Sequence, residues 1–101
     1  MVNKVYGLLG ISAKAGKIVA GNDLVIEEMS KNKVKLVIIA TDASEKTIKN
    51  IIYYCEKYNI KNMLYGTIDE LSKSIGKHNK AIIGIEDQNL AEALKKQILD
   101  T

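Results

Sequence analysis

Lys35-Leu36-Val37-Ile38-Ile39-Ala40-Thr41-Asp42-Ala43-Ser44 passes from a block of branched apolar side chains straight into a lysine-dotted helical pattern that reaches Tyr58. The run Leu36 to Ile39 has no polar face, so it reads as a strand covered on both sides. It stops at Ala40-Thr41-Asp42, and Asp42 with Glu45 has the D-x-x-E spacing of a helix capping box. The strand therefore hands its carboxyl end directly to a helix amino terminus. In an open α/β sheet that edge is where ligands bind.

The rest of the chain extends the same alternation. Val2, Val5, Leu8, Leu9 and Ile11 or Ser12 keep helical spacing up to about Ala15, with Gly16 as a stop. Ile18-Val19-Ala20 is a short strand closed by Gly21, and Asn22 or Asp23 can cap a second helix carrying Leu24, Val25 and Met29. The third helix runs from about Ser44 to Tyr58, with Ile48, Ile51, Ile52 and Cys55 inward and Lys46, Lys49 and Lys57 outward. Asn62 to Tyr65 forms a strand. A helix over Thr67 to Ile75 follows, with Thr67 and Glu70 as a capping box. After the polar loop Gly76 to Lys80 come a strand, Ala81 to Ile85, and a closing helix bearing Leu90, Ala91, Leu94 and Ile98. This αβαβαβαβα order predicts a three-layer α/β/α sandwich around a sheet that is largely parallel or mixed.

Composition bounds the function. A chain of 101 residues, 47% hydrophobic and 27% charged, fits one domain with one core. No apolar run approaches the roughly 18 residues of a membrane span, and the amino terminus shows no signal-peptide pattern. One cysteine, Cys55, excludes an internal disulfide and a multi-cysteine zinc site. A cytoplasmic protein is the expectation. The net charge is +3, and all fifteen basic residues are lysines. Lysine offers point charges to phosphates but lacks the planar fork that grips guanine edges. With Phe and Trp absent, stacking on bases would fall to the five tyrosines.

Catalytic chemistry has little to stand on. His78, the only histidine, lies in a polar loop, and Cys55 lies on an apolar helical stripe. The stretch Gly7 to Lys17 is no phosphate loop, because Ile11 stands where a Walker motif needs glycine and Ile18 where it needs Ser or Thr. Gly7 and Gly10 read instead as positions of close helix packing. No cofactor, metal or small-molecule substrate is expected. Lys14 and Lys17 precede the first strand, Gly21-Asn22-Asp23 follows it, and Lys77, His78, Asn79 and Lys80 precede the last. With helix amino termini at Asp23 and Ser44, these loops suggest an anion-binding or nucleic-acid-binding edge.

Several segments together strengthen that reading. Lys14-x-Gly16-Lys17-x-Val19-x-Gly21, Val34 to Ser44, Thr47-x-Lys49 and Cys55-x-x-Tyr58 resemble the bacterial YlxQ-like proteins, of the superfamily of ribosomal proteins that bind kink-turn RNA. Glu70-Leu71 with Gly76-Lys77 resembles the fourth helix of that family and the loop after it. The resemblance spans nearly the whole chain. It implies an α/β/α sandwich that binds structured, ribosomal RNA at one end. The contacts implied are the second-helix amino terminus, the turn after the central strand and the loop before the last strand.

Family RNA binders carry Gly-x-Asn-Glu-x-x-Lys at the start of the second helix and read guanines of sheared G·A pairs there. Counting back from Lys35-Leu36 puts Gly21 on the glycine, Asp23 on the asparagine, Leu24 on the glutamate and Glu27 on the lysine. Shifted by one residue, Asn22-Asp23 falls on Asn-Glu, but Ile26 then falls on the lysine. The implied RNA-binding residues are Lys14, Lys17, Gly21, Asn22, Asp23, Lys46, Lys77 and His78. The lysines would meet phosphates, Gly21 would allow close backbone approach, and Asn22 and Asp23 would meet bases or sugars. The expected function is non-catalytic RNA binding associated with ribosomes or translation. The alternative, motivated by Leu24 and Glu27, is a protein-interaction module that kept the fold and lost specific RNA recognition.

Overall fold

A computed structural model describes residues 3–101. Its elements follow in the order α1 (Lys4–Lys14), β1 (Ile18–Ala20), α2 (Asn22–Ser30), β2 (Leu36–Ile39), α3 (Glu45–Lys57), β3 (Asn62–Leu64), α4 (Ile68–Ser74), β4 (Ile82–Ile85) and α5 (Gln88–Leu99). Val2, read above as part of the first helix, lies outside the described residues. Asn3 caps α1, its side chain accepting the Tyr6 N–H at 3.1 Å.

The sheet order is β1-β4-β2-β3. Only β2 and β3 pair in parallel; β4 runs antiparallel to both β1 and β2. The sheet is therefore the four-stranded mixed sheet expected, and the lengths of the connections explain the direction of its strands. α2 and α3 carry the chain back along the sheet, so β1, β2 and β3 share one direction. α4 has seven residues, about 10 Å of helix, and the loop after it folds back onto it. The Ser72 hydroxyl accepts the Lys80 N–H at 2.8 Å and donates to the Lys80 carbonyl at 3.3 Å. The chain re-enters the sheet at the end it had just left, and β4 runs the other way.

β2 and β4 are buried along their whole length, as their apolar sequences require. On one face, α1, α4 and α5 pack Val5, Leu9, Leu71, Ala91, Leu94 and Ile98 against Leu36, Ile38, Ile83 and Ile85. On the other, α2 and α3 pack Val25, Met29, Ile51 and Cys55 against Val19, Val37, Ile39 and Ile82. Each Val, Leu, Ile or Met among them contributes roughly 1.5–3 kcal/mol by leaving water. This is the three-layer sandwich that the alternation of elements predicts.

Helix starts divide into local and long-range solutions. Thr67 and Glu70 form the capping box of α4 as predicted. Asp42 and Glu45 do not form one for α3. The turn from Ala40 to Ala43 delays that helix, and Ser44 caps it by accepting the Thr47 N–H at 3.1 Å. Asp42 instead accepts the Ile68 N–H, at 2.8 Å, in the first turn of α4. Because β2 and β3 are parallel neighbours, their exit turns lie side by side, and Asp42 satisfies a donor of the adjacent helix.

Of the two glycines assigned to close packing in α1, one behaves so. A methyl group at Gly10 would stand 3.2 Å from the Ser74 carbonyl oxygen of α4, whereas one at Gly7 would meet nothing within 4 Å. Gly84 is the tightest in the sheet, with Val19 Cγ1 only 2.8 Å from such a group and Val25 and Val34 at 3.4 Å. Urea unfolding should therefore separate these sites. Gly7→Ala should stabilise the chain by up to about 1 kcal/mol through helix propensity. Gly84→Ala should destabilise it by roughly 1–3 kcal/mol through overpacking. Equal effects would contradict this packing.

Candidate nucleic-acid interface

One end of the sheet collects the exits of β1, β2 and β3 and the entry of β4. Gly21 N–H donates to the Ile82 carbonyl at 2.9 Å, and Ala40 N–H to the Ala81 carbonyl at 2.9 Å. Thr41 donates both its N–H and its hydroxyl to the Gly66 carbonyl, each at 2.8 Å. These bonds tie three segments into one surface: Gly21 to Leu24, Thr41 to Lys46, and the loop from Gly76 to Ala81.

Gly21 is the N-cap of α2, in place of Asn22 or Asp23, which already lie inside the helix. Its φ of 101° and ψ of 144° belong to a region that side chains strongly disfavour. The α2 cap has no side-chain hydrogen bond, so the first N–H groups of a nine-residue helix face outward with their dipole. The Asn22 Oδ1 is buried and has no hydrogen-bond partner, while its Nδ2 donates to Asp23 Oδ1 at 3.2 Å. An acceptor withdrawn from water without a donor is costly. Here that acceptor stands beside an exposed carboxylate at a helix amino terminus.

Lysines surround this acceptor pair. A methyl group at Gly21 would lie 3.7 Å from the Lys80 Nζ, so Lys80 spans the glycine. Lys77 and Lys80 line an open groove of about 410 Å³ along β1 with Leu24, Glu28 and Glu86. Lys46 is exposed in the first turn of α3. Among the described residues, none of Lys46, Lys77 and Lys80 takes part in an ion pair; the pairs involve Lys31, Lys49, Lys73 and Lys95.

The structure thus brings together Gly21, Asn22, Asp23, Lys46 and Lys77, with His78 exposed in the same loop as Lys77. Lys14, at the end of α1, lines a shallow depression with Ser74 and Gly76 and so adjoins the start of that loop. Lys17 is separated from them. Its carbonyl accepts the Glu86 N–H at 2.8 Å, which places its backbone at the far end of β1. Sequence reasoning placed Lys80 in the basic loop but not among the RNA-binding residues; the signal for it is the pairing that sets the start of β4 beside Gly21. Cys55 lies in the core under α3, where burial, helped by Glu56, pushes its thiol up to about 11. A thiol so shielded is a poor nucleophile.

These features define a member of a known family. The chain belongs to the Ribosomal protein L7Ae/L30e/S12e/Gadd45 family, whose pattern is matched by residues 3–95. It is 35% identical over 89 residues to the RNA-binding protein YlxQ of Bacillus subtilis, covering 88% of this chain and 89% of that one. It is 33% identical over 95 residues to the RNA-binding protein YlxQ of Enterococcus faecium, covering 94% and 91%. A Bacillus halodurans protein of unknown function superposes with a TM-score of 0.92 at 31% identity, over 96% of this chain and 98% of that one. The Giardia lamblia 15.5kD RNA binding protein shares the fold, with a TM-score of 0.79 at 18% identity over 94% and 82%. The family and the named relatives point to RNA-binding proteins rather than enzymes. No described helix is long and apolar enough to cross a membrane.

Within the groove along β1, Glu86 faces Glu28. Burial first, then the Glu28 charge and hydrogen bond, push the Glu86 carboxyl above its usual range, against the pull of Lys33 and Lys17. The folded chain therefore holds this proton to higher pH than the unfolded chain does. The stabilisation is complete below the ordinary value of 4.5 and is lost as pH rises through the higher folded value. Glu86→Gln should flatten this decline in melting curves recorded across that range. An unchanged slope would show that the carboxyl is not strained.

Proposed function

We propose that this chain is a non-catalytic, single-domain RNA-binding protein that takes structured RNA of the kink-turn type at the Gly21 end of its sheet. It works without a cofactor in the cytoplasm, in association with ribosomes or translation. The observation that carries this reading is the amino terminus of α2, where no side chain caps the first N–H groups, the Asp23 carboxylate is exposed and Lys80 lies over the adjacent Gly21. An exposed carboxylate at that point suits the N1–H and N2–H donors along a guanine edge. The named RNA-binding relatives, which match most of the chain, support the same class of partner.

Each group has a role in this reading. Lys77, Lys80 and Lys46 meet phosphates as point charges, with Lys14 at the periphery and His78 in the same loop. Lys17 reaches the RNA only where the backbone extends along β1. Gly21 lets the RNA approach the α2 backbone, since a side chain there would be strained and would crowd Lys80. Its position as the α2 cap supports the alignment that puts Asp23 on the family asparagine and Leu24 on the glutamate. Leu24 cannot accept a hydrogen bond, so this account expects weaker base reading than a glutamate gives.

Leu24 also favours a second reading, a protein-interaction surface, because it is 49% exposed beside the groove along β1. A titration distinguishes the two. Binding to a kink-turn RNA should exceed binding to a control duplex whose tandem G·A pairs are replaced. Lys77→Glu/Lys80→Glu should weaken it by about tenfold or more at low salt and reduce the log–log salt slope by about 2. Equal affinities of the variant and the parent chain would overturn this site. Absence of any RNA binding would favour the protein-interaction reading.

A further inference from the structure

The opposite pole of the sheet carries a second charged surface that the reading above does not use. There β2 and β3 begin and β4 ends. An open groove of about 330 Å³ lies between the carboxyl end of α3, these strand ends and the first turns of α5, lined by Lys35, Tyr58, Asn59, Lys61, Gln88 and Lys95 among others. We propose that this groove is a second nucleic-acid contact, holding the phosphate backbone of an RNA segment other than the one at the Gly21 end. The protein would then bridge two stretches of RNA.

Charge supports this first. Lys35, Lys61 and Lys95 line the groove, against a single acid, Glu92. Glu92 is already tied to Lys95 at 3.4 Å. The Lys35 ammonium donates to the Asn32 carbonyl at 3.2 Å, which fixes its position without neutralising it. Lys61 has no ion pair among the described residues. The three ammoniums come from three separate elements, so they suit a succession of phosphates better than one compact anion.

A cation ordered over Tyr58 is the second support. The Tyr54 and Tyr58 rings are stacked, 6.4 Å apart and inclined by 15°. The Lys57 Nζ sits 5.5 Å from the Tyr58 centroid and 5.9 Å from that of Tyr54. Tyr58 lines the groove while packed against the core, and the Lys57 ammonium over its ring adds a further positive charge beside the groove. The side-chain amides of Asn59 and Gln88 add donors and acceptors for sugars and base edges. Of the apolar lining residues, Val34, Leu36 and Ala91 are buried and Ile60 is half-buried, which leaves little exposed anchor for a hydrophobic peptide.

The test is an amide-resolved NMR titration of the full chain at about 50 mM salt with a short blunt RNA duplex lacking bulges and internal loops. The amides of Asn59, Lys61 and Gln88 should shift saturably. Lys61→Glu/Lys95→Gln should lower the affinity read from them by about fivefold or more, and should leave shifts at Gly21 and Lys80 with a kink-turn RNA within about twofold. A circular-dichroism melt of the variant verifies its fold. Unshifted groove amides would overturn the proposal. So would equal shifts with poly-glutamate, which would mark the groove as a contact for acidic protein. Shifts in the groove with none at Gly21 under either RNA would sustain this proposal while refuting the reading of the Gly21 end.

Discussion

β4 lies between β1 and β2 and runs against both, and that placement decides what the sheet end can do. Its first residues bond to Gly21 and Ala40, so the loop that precedes it is drawn beside the start of α2 and the exit of β2. Gly84 makes the arrangement compatible with close packing, because any side chain there would strike Val19 and crowd Val25 and Val34. Ser72 ties the loop back to α4 through both the N–H and the carbonyl of Lys80. A lysine carried by a mobile loop would spend its entropy on binding. The Lys80 backbone is fixed beside Gly21 before any partner arrives.

Charge is distributed to match. Carboxylates along the helix flanks bind Lys31, Lys49, Lys73 and Lys95, pairs that contribute little to stability because they are exposed. They neutralise part of the helix flanks, and among the described residues Lys46, Lys77 and Lys80 at one end of the sheet and Lys35 and Lys61 at the other have no ion pair. A chain of only +3 net charge can in this way present two concentrated cationic ends. RNA held at these ends, as proposed, would bind mainly through its phosphates and with a steep dependence on salt.

Elements with local causes were legible in the residues. Periodicity located all nine helices and strands among the described residues, and the Thr67–Glu70 box was readable because both partners belong to one turn. Long-range causes were not. Asp42 looked like a partner of Glu45, but its donor is Ile68, twenty-six residues away. Gly7 and Gly10 looked alike, and only the approach of α4 distinguishes them. Alternation alone could not give the direction of β4, which depends on how a seven-residue helix turns back. The candidate site followed the same division. Gly21, Asn22 and Lys77 could be chosen from loops and resemblance. Lys80 needed the strand register, and Lys17, close to Gly21 in sequence, is carried to the other end of β1 by that register. The partnerless Asn22 Oδ1 has no sequence signature at all.

The central claim is that the amino terminus of α2, together with the turn after β2 and the loop before β4, forms one RNA-binding surface. Hydrogen exchange of the full chain with and without a kink-turn RNA tests it most directly. The account predicts slowed exchange in residues 21–25, 41–45 and 76–81 together, because one RNA covers all three segments. Binding that leaves these segments exchanging as in the free chain, with protection appearing elsewhere, would contradict it.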